Sequence, residues 1–417
     1  MRTKVAVMAE RDNQTGNRGL EPTPGASGAM PMNEKDYLIR VMDSLAEMPQ
    51  APWNQLLAQQ AHATPFMRHE YLLALESSGS ASPRTGWTPQ VVTLWQGEVL
   101  QAACVVYIKT HSYGEYVFDW AWANAYQQHG LAYYPKAVLA VPFTPVPGTR
   151  LMACSPAWRR QLLKTVLAHC QTLGLSSLHL LFGSQEDVQT SDALGLMTRH
   201  TVQFHWTNDH YRDFAHFLAQ LHQEKRKKIR QERRKVQSEG VVFRSARGTA
   251  ISPSDWDFFY HCYERTYLEH GNAPYLTPLF FQQQAAHQAE SWLMFIAERN
   301  GQPIASSLIA LLDAEDGQRT AYGRYWGALE RVDCLHFEAC YYQPLQWCIE
   351  HGFDRFEGGA QGEHKMARAL LPTDTPSTHW LAHPAFAEAV QNFLEREGAG
   401  MENYLQELQQ HTPFKAQ

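Results

Sequence analysis

The sequence predicts a mixed α/β protein of two similarly built domains, each a mainly antiparallel sheet flanked by helices. Three observations lead there. At 417 residues the chain is longer than one core usually organises. Hydrophobic residues make up 44% of it and aromatics 12%, ample material for two cores. One succession of elements (hairpin, strand, loop, helix, strand) occurs twice without letter-by-letter repetition. The expected division is a disordered leader over 1–34, a first domain over 35–200 and a second over 201–417.

In order, residues 10–34 are rich in Gly, Pro, Asn and Thr and have little to bury, hence the leader. "YLIRVM" reads as a strand. "PWNQLLAQ" and "PFMRHEYLLALESSG" read as helices, because Phe66, Tyr71, Leu72 and Leu75 recur at helical spacing and Gly79 is a stop. Two β-branched and aromatic runs about Gln96 and Gly97 form an antiparallel hairpin. "KAVLAVPFTPV" is a strand, "PGTR" a loop, "AWRRQLLKTVLAHCQTLGL" a helix and "SSLHLLF" a strand. In the second half, "SWLMFIAERNGQPIASSLIALLD" is a hairpin turning at Asn300 and Gly301, "RTAYGRYWGAL" a strand, "HFEACYYQPLQWCIEHGF" a helix kinked at Pro344, and "DRFEGG" a strand.

A net charge of −6 argues against a surface that coats nucleic acid, so any anion site is local. Seven cysteines without C-x-x-C spacing fit reduced thiols and a cytoplasmic protein. No stretch has the roughly 20 apolar residues a membrane span needs.

The local anion site has an evident candidate. On a helical wheel of "YRDFAHFLAQLHQEKRKKIRQERRKVQSEG", Phe214, Phe217, Leu218, Leu221, Ile229 and Val236 form one stripe, and Arg226, Lys227, Arg230, Arg233 and Arg234 lie opposite. Asp213 caps the start, Gly240 ends it, and Glu232 is expected to pair with Lys228. A solvated face is the plain alternative. Five like charges repel, however, and a phosphate on a nucleotide, a CoA or a tRNA acceptor end relieves them.

Two further clusters carry chemistry. "HSYGEYVFDWAWANAY" reads as a strand whose alternation puts Glu115, Val117 and Asp119 on one side among aromatics, a wall for an amine or sugar. "FEGGAQGEHKMAR" gathers Glu357, Gln361, Glu363, His364, Lys365 and Arg368 around glycines after a strand. On "RTAYGRYWGALE", Tyr322, Arg324 and Trp326 are expected to share a face, with Arg324 placed to grip a carboxylate or phosphate. His336 and Cys340 stand at i and i+4 without a third ligand, so no metal is expected. G-x-S-x-G, Walker and Rossmann patterns are absent.

"HSYGEYVFDWAWANAYQQHGLAYYPKAVLAVPFTPVPGTRL", "EKRKKIRQERRKV", "AYGRYWG", "LHFEACYYQPLQWCIEHG" and "FEGGAQGEHKMARALLPTDTPSTHW" resemble the FemAB-like predicted N-acyltransferases of Gram-negative bacteria, from about residue 37 onward. The resemblance implies two tandem GNAT-like domains and a link to peptidoglycan through the Fem aminoacyl transferases. It also implies an acyl-CoA or aminoacyl-tRNA donor, direct attack by an amine acceptor, and contact with a cell-wall precursor. GNAT folds hold the donor pyrophosphate between the fourth strand and the next helix, here "PVPGTR" with Gly148, Thr149 and Arg150, or "GALERVDCLHFE". Neither loop shows the Q/R-x-x-G-x-G/A pattern of acetyl-CoA binders. The expected base is Glu363 or His364, with Lys365 beside them, and Lys227, Arg230, Arg233 and Arg234 steer the donor phosphates. The acceptor set is His111, Tyr113, Glu115, Asp119, Trp120, Trp122 and Tyr134 from the first domain, and Arg324, Trp326, Glu338, Glu357 and Gln361 from the second. A non-catalytic binder of muropeptides or glycans is the rival reading.

Overall fold

The computed structural model describes residues 5–6, 37–313, 317–360 and 362–415; apart from Val5–Ala6, the expected leader lies outside them, as does Gln361. The strands run β1 (Val5–Ala6), β2 (Leu38–Met42), β3 (Trp87–Gln96), β4 (Val99–Lys109), β5 (Lys136–Leu139), β6 (Met152–Ala153) and β7 (Ser177–Leu180), then β8 (Met197–Thr207). After them come β9 (Val241–Arg247), β10 (Trp292–Arg299), β11 (Gln302–Leu312), β12 (Thr320–Ala328), β13 (Arg355–Ala360) and β14 (Leu371–Leu381). Both expected hairpins form. The second turns where Asn300 (φ 54°) and Gly301 (φ 73°) adopt the left-handed backbone that a two-residue hairpin loop requires.

All but β6 line up in one mixed sheet ordered β1-β2-β3-β4-β5-β7-β14-β8-β13-β12-β11-β10-β9, and β6 pairs with β4. Each half holds one parallel pair, β5 with β7 and β12 with β13, and antiparallel pairs elsewhere. The two central strands are exchanged. β14, from late in the chain, pairs with β7 of the first half, while β8 pairs with β13 of the second. The boundary expected at residue 200 falls inside β8, a strand bonded to both neighbours.

The exchange has a local two-fold axis. Thr201 stands opposite Thr375 in the β8–β14 ladder, and each hydroxyl donates to the other's carbonyl, at 2.8 and 3.1 Å. Counting equally along both strands from that pair makes His205 the counterpart of His379. Their ladder partners are then also counterparts, Glu357 in the second half and His179 in the first.

Helices cover the sheet. His69–Ser77, Pro253–Glu269 and Pro278–His287 share one core in which Phe66 and Tyr71 of the first half meet Tyr322 and Phe280 of the second. The halves are therefore joined by apolar burial as well as by strands. Two sequence expectations fail locally. Residues 110–119 run through bends and turns and join no ladder, and Trp120–Gln128 is a helix, so the aromatic segment is not a strand. In β12, Leu308 faces Tyr325 while Ile309 faces Gly323, which makes Arg324 the extra residue of a β-bulge. The bulge puts Tyr325 in the core with Tyr322 and turns Trp326 to the opposite face against His336, so Tyr322, Arg324 and Trp326 do not share a face. The kink expected at Pro344 appears as a π-turn, Glu338–Tyr342, just before the helix Gln343–Glu350.

Candidate active site

In the first half the alternation of residues 115–119 survives without a ladder: Glu115, Val117 and Asp119 point inward, while Tyr116, Phe118 and Trp120 point outward. The carboxylates do not await an external ammonium. Lys136, on β5 and fully buried, donates to Glu115 at 2.7 Å, to Asp119 at 2.5 Å and to Ser112 at 2.7 Å. Tyr133 donates to Asp119 at 2.6 Å and meets His179 at 3.0 Å, and His179 meets His379 at 2.8 Å. Burial pushes Glu115 up to about 7 against the pull of Lys136; burial acts on Asp119 too, but Lys136 and then His179 hold it well below the usual carboxylate range. Trp122 is buried against both histidines, Tyr134 bonds Ser112 at 2.8 Å, and His111 bonds the Thr85 carbonyl at 3.1 Å. Tyr113 and Trp120 remain exposed. The expected substrate wall is thus an internal network around Lys136 with an aromatic outer skin, in which Glu115 Oε1, Asp119 Oδ1 and His379 Nε2 have no hydrogen-bond partner among the described residues.

The second half places the counterpart positions on a cavity. A cleft of about 1260 Å³ between the halves is lined by His62, Thr64, Gly148 and Gln185 from one side and by Arg247, Asp313, Tyr322, Arg355 and Glu357 from the other. Glu357 is 6% exposed and lies 3.2 Å from Arg355 and 3.8 Å from His205; its Oε2 has no hydrogen-bond partner among the described residues. Burial, offset in part by Arg355, pushes it up to about 7. A carboxyl poised there on a cavity wall is suited to general-base work near neutral pH.

Glu357 also marks the last rung at which β12 and β13 pair, opposite Tyr322. Past it, β12 runs on to Ala328 beside β11, and β13 shifts register before Ala360 meets Gln203. Gly358 and Gly359 permit this: a Cβ on Gly358 would lie 2.4 Å from Leu370, and Gly359 has φ 81°. The ladder therefore opens into a wedge beginning next to the buried carboxyl. Lys365, buried and lowered by burial to about 8, donates to the Gly359 carbonyl at 2.8 Å and props that turn. The expected bases sit farther out. Glu363 is exposed and accepts from Tyr404 at 2.6 Å, exposed His364 lies 3.4 Å from the Tyr341 hydroxyl, and neither lines the cleft.

The single helix expected from Asp213 to Gly240 is two, Phe214–Gln220 and Gln223–Ser238, broken where extended Leu221 bridges Phe414; the second, basic one borders the wedge because two of its side chains are bonded to the elements that follow β12 and β13. Arg233 donates to buried Glu338 at 3.0 Å and to Gln346 at 3.0 Å. Glu232 accepts from Arg368 at 3.0 Å and from the Tyr342 hydroxyl, not from the expected Lys228. Arg233 is therefore committed to packing. Lys227, Lys228, Arg230, Arg234 and Lys235 face solvent without an ion pair among the described residues. The other expected phosphate site is closed: the N–H groups of Gly148, Thr149 and Arg150 donate to Phe182, His62 and Asp187. The Arg150 guanidinium is buried among the Leu181, Gly148 and Val146 carbonyls. That loop has no N–H left for an anion.

Sequence reasoning missed Lys136, His179, His379, His205 and Arg355. No local pattern marks them, and only the exchange brings His179 and His379, 200 positions apart, together.

Over residues 44–416 the chain matches the FemAB-like family, described as peptidoglycan biosynthesis/recognition. No curated protein matches its sequence significantly. Among solved structures it is similar to L-PGS from Bacillus licheniformis (9% identity, TM-score 0.50, 83% of this chain and 97% of that one). FemX is another (8%, 0.49, 84% and 99%), as is a tandem GNAT protein from the clavulanic acid biosynthesis pathway (9%, 0.41, 84% and 99%). At such identities the likeness to L-PGS speaks for the fold alone. The match over nearly the whole described chain places it: the protein belongs to the FemAB-like family and is a transferase.

Proposed function

We propose that the protein transfers an aminoacyl group from aminoacyl-tRNA to an amine acceptor held in the cleft between its halves, with Glu357 as the base. The observation that carries the chemistry is the buried Glu357 carboxyl, held near 7 on the cleft wall where β12 and β13 begin to part. Glu357 takes a proton from the acceptor ammonium, and the freed nitrogen attacks the ester carbonyl in the wedge. The C–N bond forms, the C–O bond to the ribose breaks, the ribose oxygen leaves with the proton Glu357 collected, and the second proton of the attacking nitrogen passes to water. The edge of β12 past Tyr322, without a ladder partner in β13, is where backbone N–H groups meet the developing oxyanion. The family description favours a cell-wall precursor as acceptor.

The basic helix favours tRNA over CoA as donor. Its 16 residues extend about 24 Å at the usual rise. Lys227, Lys228, Arg230, Arg234 and Lys235 are unpaired along it, a length suited to several backbone phosphates rather than one pyrophosphate. Filter binding of aminoacyl-tRNA against salt tests this. The log of affinity falls with log salt at a slope on the order of −3, and the K227A/R230A/R234A protein loses about two units of that slope. Binding of acyl-CoA with no salt-dependent tRNA binding overturns the donor assignment.

A further inference from the structure

Arg324, the bulged residue of β12, is a cation without a counter-ion. It is only partly accessible, no described carboxylate pairs with it, and its neighbours include the phenols Tyr325, Tyr71 and Tyr116. Nη2 donates to the Phe143 carbonyl at 2.9 Å and approaches the Tyr325 hydroxyl at 3.5 Å, while Nε is buried with no partner among the described residues. The guanidinium lies over Phe66 at 5.3 Å and Tyr325 at 5.0 Å. Around it, the Tyr71 hydroxyl is 3.4 Å from that of Tyr325 and 3.2 Å from Thr144 Oγ1. Tyr116 is held in left-handed backbone at φ 63°, which a non-glycine residue adopts only when its surroundings impose it.

Chemically the site has donors and no acceptor charge. Burial raises Tyr71 and Tyr116, so both hydroxyls stay protonated and can donate. Withdrawing a guanidinium from water among neutral hydroxyls is unfavourable unless an anion completes it. The site is continuous with its surroundings on two sides. Phe66, beneath the guanidinium, contacts Tyr322 of the cleft wall at 5.3 Å. Phe143, whose carbonyl takes the Nη2 bond, stacks on Tyr275 at 4.6 Å; Tyr275 in turn neighbours Tyr113, and Tyr113 meets Trp120 at 5.2 Å. Tyr113 is 60% and Trp120 39% exposed, so an aromatic surface for a ring-bearing or sugar-bearing ligand is linked to the cation through Phe143 and Tyr275.

We propose that Arg324 docks an oxyanion of the acceptor, a carboxylate or a phosphate, while the rest of that molecule extends towards Tyr113 and Trp120. Calling the ligand the acceptor rests on the transferase reading; the anion site does not. Thermal melting of the full chain in titrations of inorganic phosphate and, separately, acetate tests it at constant ionic strength. Wild type shows a saturable rise in Tm, and Arg324→Gln loses at least four-fifths of it while melting no lower than wild type in the absence of anion. A rise with phosphate alone identifies a phosphorylated acceptor, and one with acetate identifies a carboxylate. Arg324→Lys, which keeps the charge but not the fork, folds if Arg324→Gln does not, and its apparent Kd rises about tenfold. An unchanged rise in Arg324→Gln, no saturable rise with either anion in wild type, or an unchanged Kd in Arg324→Lys overturns the proposal. Glu357→Gln, whatever its own starting Tm, shows the same anion-dependent rise as wild type, so loss of turnover there and loss of anion binding at Arg324 are separable failures.

Discussion

The local two-fold through Thr201 and Thr375 sets His379 and His179 of the first half against His205 and Glu357 of the second. In the first half the chain brings its own cation: Lys136 sits between Glu115 and Asp119, and Trp122 closes over the histidines. In the second half Glu357 has Arg355 at its flank but keeps one oxygen unbonded on a cleft wall. What separates a structural cluster from a reactive one here is less which residues are present than whether a counter-charge is supplied from within. Both clusters leave carboxylate oxygens without a partner among the described residues; only Glu357 does so on a cleft wall, where burial keeps its affinity for a proton.

The contrast can be broken from either side. Glu357→Gln should lower aminoacyl transfer by about 10²–10⁴-fold, the usual span for a positioned base. The wild-type rate should climb tenfold per pH unit below about 7 and level off above it. The same group links pH to stability. Its folded value lies above the unfolded 4.5, so the stability it contributes is full below 4.5 and is lost as pH rises towards 7. Glu357→Gln should therefore gain on wild type across that window by something on the order of 2 kcal/mol in urea unfolding. A variant as active as wild type, or one whose relative stability does not change with pH, removes Glu357 as the reactive member of the pair.

Lys136→Met should cost about 3–5 kcal/mol in urea unfolding, because it leaves two carboxylates buried without their cation. If that variant is nearly as stable as wild type, Lys136 does not hold the first-half cluster as described. Thr201→Val removes the hydroxyl that donates to the Thr375 carbonyl, leaves the Thr375 hydroxyl on the Thr201 carbonyl, and should cost about 1 kcal/mol, read by the same unfolding curve.

Much of this was legible in the sequence, unevenly. Both hairpins, the basic helix and the repeated succession of elements could be read because each is a local pattern of period or turn chemistry. The Glu357 strand and its glycines were also visible as a dense cluster. The division of roles was not. Alternation placed Glu115 and Asp119 on one side correctly, yet nothing local announces that Lys136 lies opposite them. The Arg324 bulge likewise depends on the register of β11 against β12, which no window on one strand contains. The exchange of β8 and β14 escapes for the same reason, since pairing partners far apart in sequence leave no periodic trace.

That exchange has a consequence for how the protein is made. The Phe182 N–H finds its acceptor in Ser377, 195 positions on, so the sheet of the first half stays incomplete while most of the polypeptide is still being synthesised. A nascent first half must wait with β7 as a bare edge, a state in which edge-to-edge sticking competes with completion. Neither half is expected to mature alone on the ribosome, and the two should reach their native form in one late, concerted step.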